Sequence, residues 1–230
     1  MNTRRFFSGN PINGATISIS GDEYHHLKHV NRAKCGDQIE VIDGRGTLFV
    51  GEIQELKPDE ALVDVKGNET KKKPPVSVIV APSLLKQRSM NLMIEKLTEI
   101  GVDEIRPVMF QRTDEIYSSS RLKKWTRIAV QSLKVNKGLW LTDIFPPVGI
   151  DEIIAVSQAV KTRILLDIGA ENQVTDSWQM PVIAVIGPPG GIEEEEQEQF
   201  ISNGFLRYQI NNCVLKTETA AISIAAILKA

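Results

Sequence analysis

From Val76 to the end of the chain, two hydrophobic periods take turns. Short runs of β-branched and aliphatic residues at 76–81, 104–110, 163–167, Val182–Ile186 and 205–210 read as strands. Between them, apolar positions recur every three to four residues over 83–100, 121–137, 151–160, 193–203 and Thr217–Lys229, which predicts helices. Gly101 follows the first of these as a natural helix stop. Alternation of this kind predicts a mostly parallel sheet with helices on both faces.

The first 70 residues have a different rhythm. Candidate strands fall at 15–20, 38–43, Thr47–Leu56 and 61–66, with turn chemistry at Asp43-Gly44-Arg45-Gly46. One helical stretch, 22–33, begins at Asp22, a plausible cap. So many short strands predict a small barrel over 1–70. Gly67-Asn68-Glu69-Thr70-Lys71-Lys72-Lys73-Pro74-Pro75 is polar, charged and ends in prolines, which marks a linker before a second domain at 75–230.

Composition narrows the class. The 230 residues are 42% hydrophobic and 24% charged, the balance of a globular chain with a core, not of a disordered one. No apolar run reaches the roughly 18 residues of a membrane span. The basic N-terminus has no apolar segment behind it, so no signal peptide is expected. Two cysteines far apart, Cys35 and Cys213, imply neither a disulfide framework nor a zinc site. A cytoplasmic protein is the expectation. The net charge of −2 conceals an asymmetry. Residues 1–73 are neutral, 74–142 carry +5, and 143–230 carry −7. Arg121, Lys123, Lys124, Arg127, Lys134 and Lys137 follow one another with no acid between them. Such a stripe is either a solvated helix face or a grip on a polyanion.

Candidate chemistry concentrates near the C-terminus. The strand Val182–Ile186 runs into Gly187-Pro188-Pro189-Gly190-Gly191 and then a helix. Ligands of open α/β sheets bind at such strand ends, and glycines let backbone approach a ligand closely. The loop is neither a Walker sequence nor Gly-x-Gly-x-x-Gly. Glu193, Glu194, Glu195 and Glu196 suit the positive end of the helix dipole and make it a poor phosphate site, favouring a neutral, zwitterionic or cationic ligand. A second polar loop, Asn211-Asn212-Cys213-Val214-Leu215-Lys216, leads to a helix of small residues with Thr217 as a possible cap. His25, His26 and His29 have helical spacing that a metal could use, but no acidic partner is evident, and RNA contact or local capping is favoured over metal. No Ser-His-Asp or Cys-His set is assignable.

Read in order, these segments resemble the RsmE family of 16S ribosomal RNA uridine N3-methyltransferases, of the SPOUT (trefoil-knot) class. The resemblance spans essentially the whole chain. It rests on His25-His26-Leu27, Val30-Asn31-Arg32, Gly36-Asp37, Asp43-Gly44-Arg45-Gly46, Glu95-Lys96-Leu97-Thr98-Glu99-Ile100-Gly101-Val102, Ile105, Pro107, Gln111-Arg112 and Trp125-Thr126-Arg127-Ile128, with Gly187–Gly191 and Val214-Leu215-Lys216-Thr217-Glu218-Thr219-Ala220. It implies an α/β fold: an N-terminal PUA-like β-barrel and a C-terminal SPOUT domain with a deep trefoil knot, an exception to the rule against threaded chains. It also implies a homodimer, S-adenosylmethionine (SAM) as methyl donor, and the small ribosomal subunit as substrate.

The site residues that follow are expectations of that resemblance. Cofactor contacts are Leu166, Ile186, Gly187, Pro188, Gly190, Gly191, Ile210, Asn211, Val214, Leu215, Thr219 and Ala220. Catalytic candidates are Arg112, Lys216 and Glu218. RNA contacts are Arg4, Arg5, His25 and Arg32, with Lys86, Arg121, Lys124, Arg127 and Lys134. The chain departs from the family pattern in places. Pro189 replaces a glutamate, Asn211 a glycine, and Cys213 and Lys216 two arginines, and the family's Gln, Arg and Pro are missing over 135–142, where Val135 and Gly138 stand. A lysine does not reproduce the planar fork of an arginine. Two alternatives therefore stay open: a relative that keeps the fold but has lost the chemistry, and a SPOUT enzyme acting on another RNA such as tRNA. A nucleotide-dependent Rossmann enzyme is disfavoured by the acidic helix start.

Overall fold

The computed structural model describes residues 4–9, 12, 14–174 and 178–230. The chain folds as two compact units, Met1–Pro74 with Leu133–Leu141, and Pro75–Ser132 with Thr142–Ala230.

The first unit contains β1 (Arg4–Phe7), β2 (Thr16–Ser20), α1 (Gly21–His25), β3 (Gln38–Ile42), β4 (Thr47–Leu56) and β5 (Glu60–Thr70). Strict alternation in β2 buries Ile17 and Ile19 and exposes Thr16, Ser18 and Ser20. These isoleucines join Phe6, Leu27, Ile39, Val41, Ile53 and Val63 in one core. The strand order is β1-β3-β4-β5-β2, with β1 parallel to β3 and the other pairs antiparallel. No pairing closes β2 onto β1 among the described residues, so the expected barrel is an open five-stranded sheet. β1 was not legible, because two arginines occupy half of it. The expected helix over 22–33 is shorter. After α1 the chain widens into a π-helical turn, His26–Val30, and ends at Arg32 in the left-handed region at φ 50°.

Residues 133–141 are part of this unit's fabric. Gly46 donates to the Leu139 carbonyl at 2.9 Å, and Leu141 to that of Gly44 at 3.0 Å. Trp140 lies so close to Gly46 that an added Cβ would come within 2.2 Å of its ring, and φ there is +101°. Only glycine fits both demands.

The second unit contains β6 (Val78–Pro82), α2 (Gln87–Ile100), β7 (Glu104–Ile105), α3 (Ser119–Asn136) as far as Ser132, β8 (Asp143–Ile144), α4 (Ile150–Ser157), β9 (Thr162–Leu166), β10 (Val182–Ile186), α5 (Glu194–Ser202), β11 (Leu206–Tyr208) and α6 (Thr217–Lys229). The sheet is parallel throughout, in the order β11-β9-β10-β6-β7-β8. Its central strands β6 and β10 are buried at every position, which is why they read as unbroken apolar runs. Ile79, Ala81, Leu165, Ile183 and Val185 point to one face, where Ile153 of α4 and Phe200 of α5 meet them. α6 packs on β6 and β10, and α2 packs on α6. Helices thus cover the sheet as the alternation predicts.

Two boundaries that differ from expectation are set by backbone hydrogen bonding. Residues 83–86 do not join α2: Ser83 and Leu84 continue the pairing of β6, donating to Ile186 and Val108, and Lys86 at ψ 147° is not helical. The strand expected over 104–110 keeps only two residues, since Pro107 has no amide to continue the ladder. Val108 makes only isolated bridges, to Ser83 and Val148. Among the described residues no helix is long and apolar enough to cross a membrane.

Asp103 ties this unit's first strand to its last helix. Its Oδ2 accepts the Ser77 hydroxyl at 2.9 Å, the Val78 amide at 3.0 Å and the Lys229 ammonium at 3.2 Å. Burial alone would raise its pKa, but these donors outweigh burial and hold it below the usual carboxylate range. A lowered folded pKa means that the stabilisation is present at neutral pH and fades as acid protonates the folded carboxylate. Asp103→Asn is expected to cost about 1–2 kcal/mol in urea unfolding at pH 7, and the gap to wild type should shrink as the pH falls through and below the usual carboxylate range.

Candidate functional site

β9, β10 and β11 end level with one another: Leu166 pairs with Ile186 on one side and with Tyr208 on the other. The chain leaves all three carboxyl ends in the same direction, and the departing segments enclose a crevice of about 260 Å³. It lies where ligands of parallel α/β sheets bind. Every residue expected to touch a cofactor lines it except Gly190 and Thr219. The lining also includes residues that sequence reasoning missed, among them Asp167, Gln197, Tyr208, Cys213 and Thr217. The strand-end rule reaches Asp167 and Tyr208 once the sheet order sets β9 and β11 beside β10.

Close packing shapes the glycine loop. A Cβ on Gly187 would fall 2.4 Å from Ile192 Cγ1, so the loop doubles back over its own first residue. Gly191, at φ +82°, donates to the Pro188 carbonyl at 2.9 Å and closes a tight turn. Gln197 donates to the Ile192 carbonyl at 3.1 Å. The second loop is organised by Asn211, whose Oδ1 accepts the Cys213 amide at 2.9 Å. Thr217 then joins the loops: its hydroxyl donates to the Gly187 carbonyl at 2.9 Å, and it is 5% exposed. It does not use its side chain as a cap; Lys216 holds the cap position of α6 and makes no side-chain cap bond.

The charge of the crevice follows. Among the described residues Asp167 is the carboxylate in its lining, and no lysine or arginine lines it. Asp167 is paired with Arg207, through Nε at 2.5 Å and also through Nη2, and accepts the Gly169 amide at 3.0 Å. A phosphate would meet no cation here, while four glutamates stand at the start of α5. Main-chain groups, apolar walls and a few neutral polar side chains suit a neutral or cationic ligand.

The three catalytic candidates sit outside the lining. Arg112 grips Glu193 with Nε and Nη2 at 2.5 and 2.9 Å, and donates to the Gly190 carbonyl at 2.7 Å. Glu218 accepts the Ser89 hydroxyl at 3.1 Å. Lys216 is exposed at the start of α6. Thr219, beyond them, is exposed too.

The expected RNA contacts differ in exposure. Arg5, Arg121 and Lys134 are half-buried against internal partners. Arg5 binds Glu40 at 2.8 Å, Arg121 donates to the Leu85 carbonyl at 2.5 Å beside the Trp125 ring, and Lys134 binds Glu23 at 2.6 Å with 7% of its side chain exposed. Arg32, Lys86, Lys124 and Arg127 are exposed, and Arg4 is 3.8 Å from Asp37. His25 is exposed, its ring 4.8 Å from that of His29. Among the described residues no group of three or more His, Cys, Asp or Glu side chains is arranged to hold a metal.

Comparison with known proteins accounts for both units. Residues 72–229 match the RNA methyltransferase domain family, and residues 19–66 match the RNA methyltransferase PUA domain. The chain belongs to this RNA methyltransferase family. It is 24% identical over 223 residues to ribosomal RNA small subunit methyltransferase E of Aquifex aeolicus, covering 94% of each chain. It is 28% identical over 168 residues to the protein of that name from Mesomycoplasma hyopneumoniae, covering 71% of this chain and 72% of the relative. The crystal structure of ribosomal RNA small subunit methyltransferase E from Neisseria gonorrhoeae, bound to S-adenosylmethionine, has the same fold: TM-score 0.88 at 22% identity, over 98% of this chain and 96% of that one.

The crowding at Gly187 is directly testable. Gly187→Ala should lower stability by about 1–3 kcal/mol in thermal or urea unfolding, through overpacking against Ile192. Combining it with Ile192→Ala should cost less than the two single changes added together.

Proposed function

We propose that this protein transfers a methyl group from SAM to N3 of a uridine in 16S ribosomal RNA of the small subunit. The observation that carries the reading is the crevice at the carboxyl ends of β9, β10 and β11, bounded by the glycine-rich loop and the loop before α6 and, among the described residues, free of lysine and arginine. The family match supports methyl transfer to RNA, and the names of the relatives support the ribosomal substrate. SAM fits the crevice by chemistry, since its sulfonium, unlike a phosphate, needs no lysine or arginine in the lining. When bound, it would supply an electrophilic methyl group to the attacking nitrogen, the S–CH3 bond breaking so that S-adenosylhomocysteine leaves.

The chain's own residues then have separate tasks. Gly187, Pro188, Gly191, Asn211 and Leu215 hold the donor, and Thr217 keeps their two loops in register through Gly187. N3 lies on the pairing edge of uracil, so the base must be unpaired and turned towards the crevice. Its N–H must lose a proton as the new bond forms. Lys216, at the end of the second loop, steadies the resulting negative charge, and Glu218 is the carboxylate in that segment able to take the proton. Arg4, His25, Arg32, Lys86, Lys124 and Arg127 contact RNA and set its register. The reading includes a homodimer in the cytoplasm, and a closing segment before α6 that threads a knot around the crevice. Pro189 and Asn211 do not exclude donor capture, because that depends mostly on backbone atoms.

Purified small subunits lacking the modification, incubated with the protein and methyl-labelled SAM, should gain one methylated uridine, identified as the N3 isomer by nucleoside mass spectrometry. Label on tRNA alone would assign another RNA substrate, and SAM binding without transfer to either would mark a relative that has lost the chemistry. Lys216→Ala should lower kcat by about 10- to 100-fold while leaving the KM for SAM within about twofold.

A further inference from the structure

Arg112 lies outside the crevice, yet its bonds end on the loop that shapes it. Its fork takes both oxygens of Glu193, and its third bond holds the Gly190 carbonyl. The rest of the side chain lies along the glycines. A Cβ on Gly190 would meet Arg112 Cδ at 3.5 Å, and one on Gly191 would meet Nη1 at 3.6 Å. A guanidinium keeps its proton in proteins, so Arg112 is no base.

One buried carboxylate sets up this fork from both sides. Glu196, 8% exposed, accepts the Gln111 amide on Oε1 at 2.7 Å and the Glu193 amide on Oε2 at 3.1 Å. Gln111 adjoins Arg112, and Glu193 is its partner. Glu196 therefore fixes the backbone beneath each half of the pair. An exposed ion pair by itself contributes little to folding. Here the pair and the carbonyl bond restrain a glycine-rich turn, the type of backbone with most freedom to lose.

We propose that Arg112 and Glu196 are positioning residues for donor capture. Together with Glu193 they lock the turn from Pro188 to Gly191, so that the Gly187 and Pro188 wall of the crevice is in place before the donor arrives. Neither touches the reacting atoms. This inference rests on the reading of the crevice as a SAM site.

The test measures SAM binding by calorimetry, with KM and kcat for methyl transfer, in wild type, Arg112→Ala, Arg112→Lys and Glu196→Gln. Arg112→Ala and Glu196→Gln should each weaken SAM binding and raise its KM by about tenfold, with kcat at saturating SAM within about threefold. Arg112→Lys should fall between, because lysine keeps the carbonyl bond and loses the fork. It also serves if the alanine variant does not fold in thermal unfolding. Adding Glu193→Gln to Arg112→Ala should cost no further affinity, since the two act through one contact. Unchanged SAM affinity with a collapsed kcat in the Arg112 variants would overturn the inference and place Arg112 on the RNA or the reacting atoms. Unchanged affinity in Glu196→Gln would remove Glu196 from the clamp. A wild-type protein that does not bind SAM would overturn the donor reading and this inference with it, a result distinct from variants that bind as well as wild type.

Discussion

The bond from the Thr217 hydroxyl to the Gly187 carbonyl turns two strand ends into one crevice. Without it, the loop after β10 and the loop before α6 would be separate turns on a shared sheet edge. A parallel sheet delivers every strand end to the same side, so proximity is a property of the topology. Mutual orientation is not, and needs a direct bond. A threonine that is buried and donates to a main-chain carbonyl supplies this while presenting little of its own side chain to a ligand. Selectivity is then left to shape and to a lining that, among the described residues, holds no lysine or arginine.

Much of this was legible in the chain and some was not, for physical reasons. β6 and β10 were clear because complete burial demands an uninterrupted apolar run. α6 was clear because its period and its start agree. The glycine loop stood out because glycine and proline punctuate it. Residues 83–86 misled because their apolar spacing continues that of α2, while Ser83 and Leu84 are bonded to the carbonyls of Ile186 and Val108. β1 and β8 escaped because edge strands of few residues carry little pattern. Asp167 and Tyr208 escaped because strand ends line a crevice only once their order in the sheet is known.

Charge is where linear reading was least informative. Between residues 116 and 142 six basic side chains read as one stripe, yet burial sorts them. Arg121 braces a carbonyl and an indole, Lys134 answers a glutamate, and Lys123, Lys124 and Arg127 face solvent. The acids behave likewise. Four successive glutamates suggest a helix-dipole effect alone, but Glu193 caps and pairs with Arg112 while Glu196 is buried between two amides. Identical side chains acquire different roles because α5 turns each to a different neighbour.

The first unit is discontinuous in sequence. Its Asp43–Thr47 turn is covered by Trp140, its Arg5 side chain reaches the Gly138 carbonyl, and its Glu23 is answered by Lys134, all from a stretch that begins some sixty residues after the linker. A gene divided at Pro74 would encode neither unit whole. The shorter product would leave the Gly46 backbone without its indole cover, and the longer one would carry a tryptophan and an ammonium group parted from the surfaces they were shaped to meet. Evolution by exchange of the amino-terminal piece alone is thereby constrained: a replacement must arrive already fitted to nine residues that its donor never encoded.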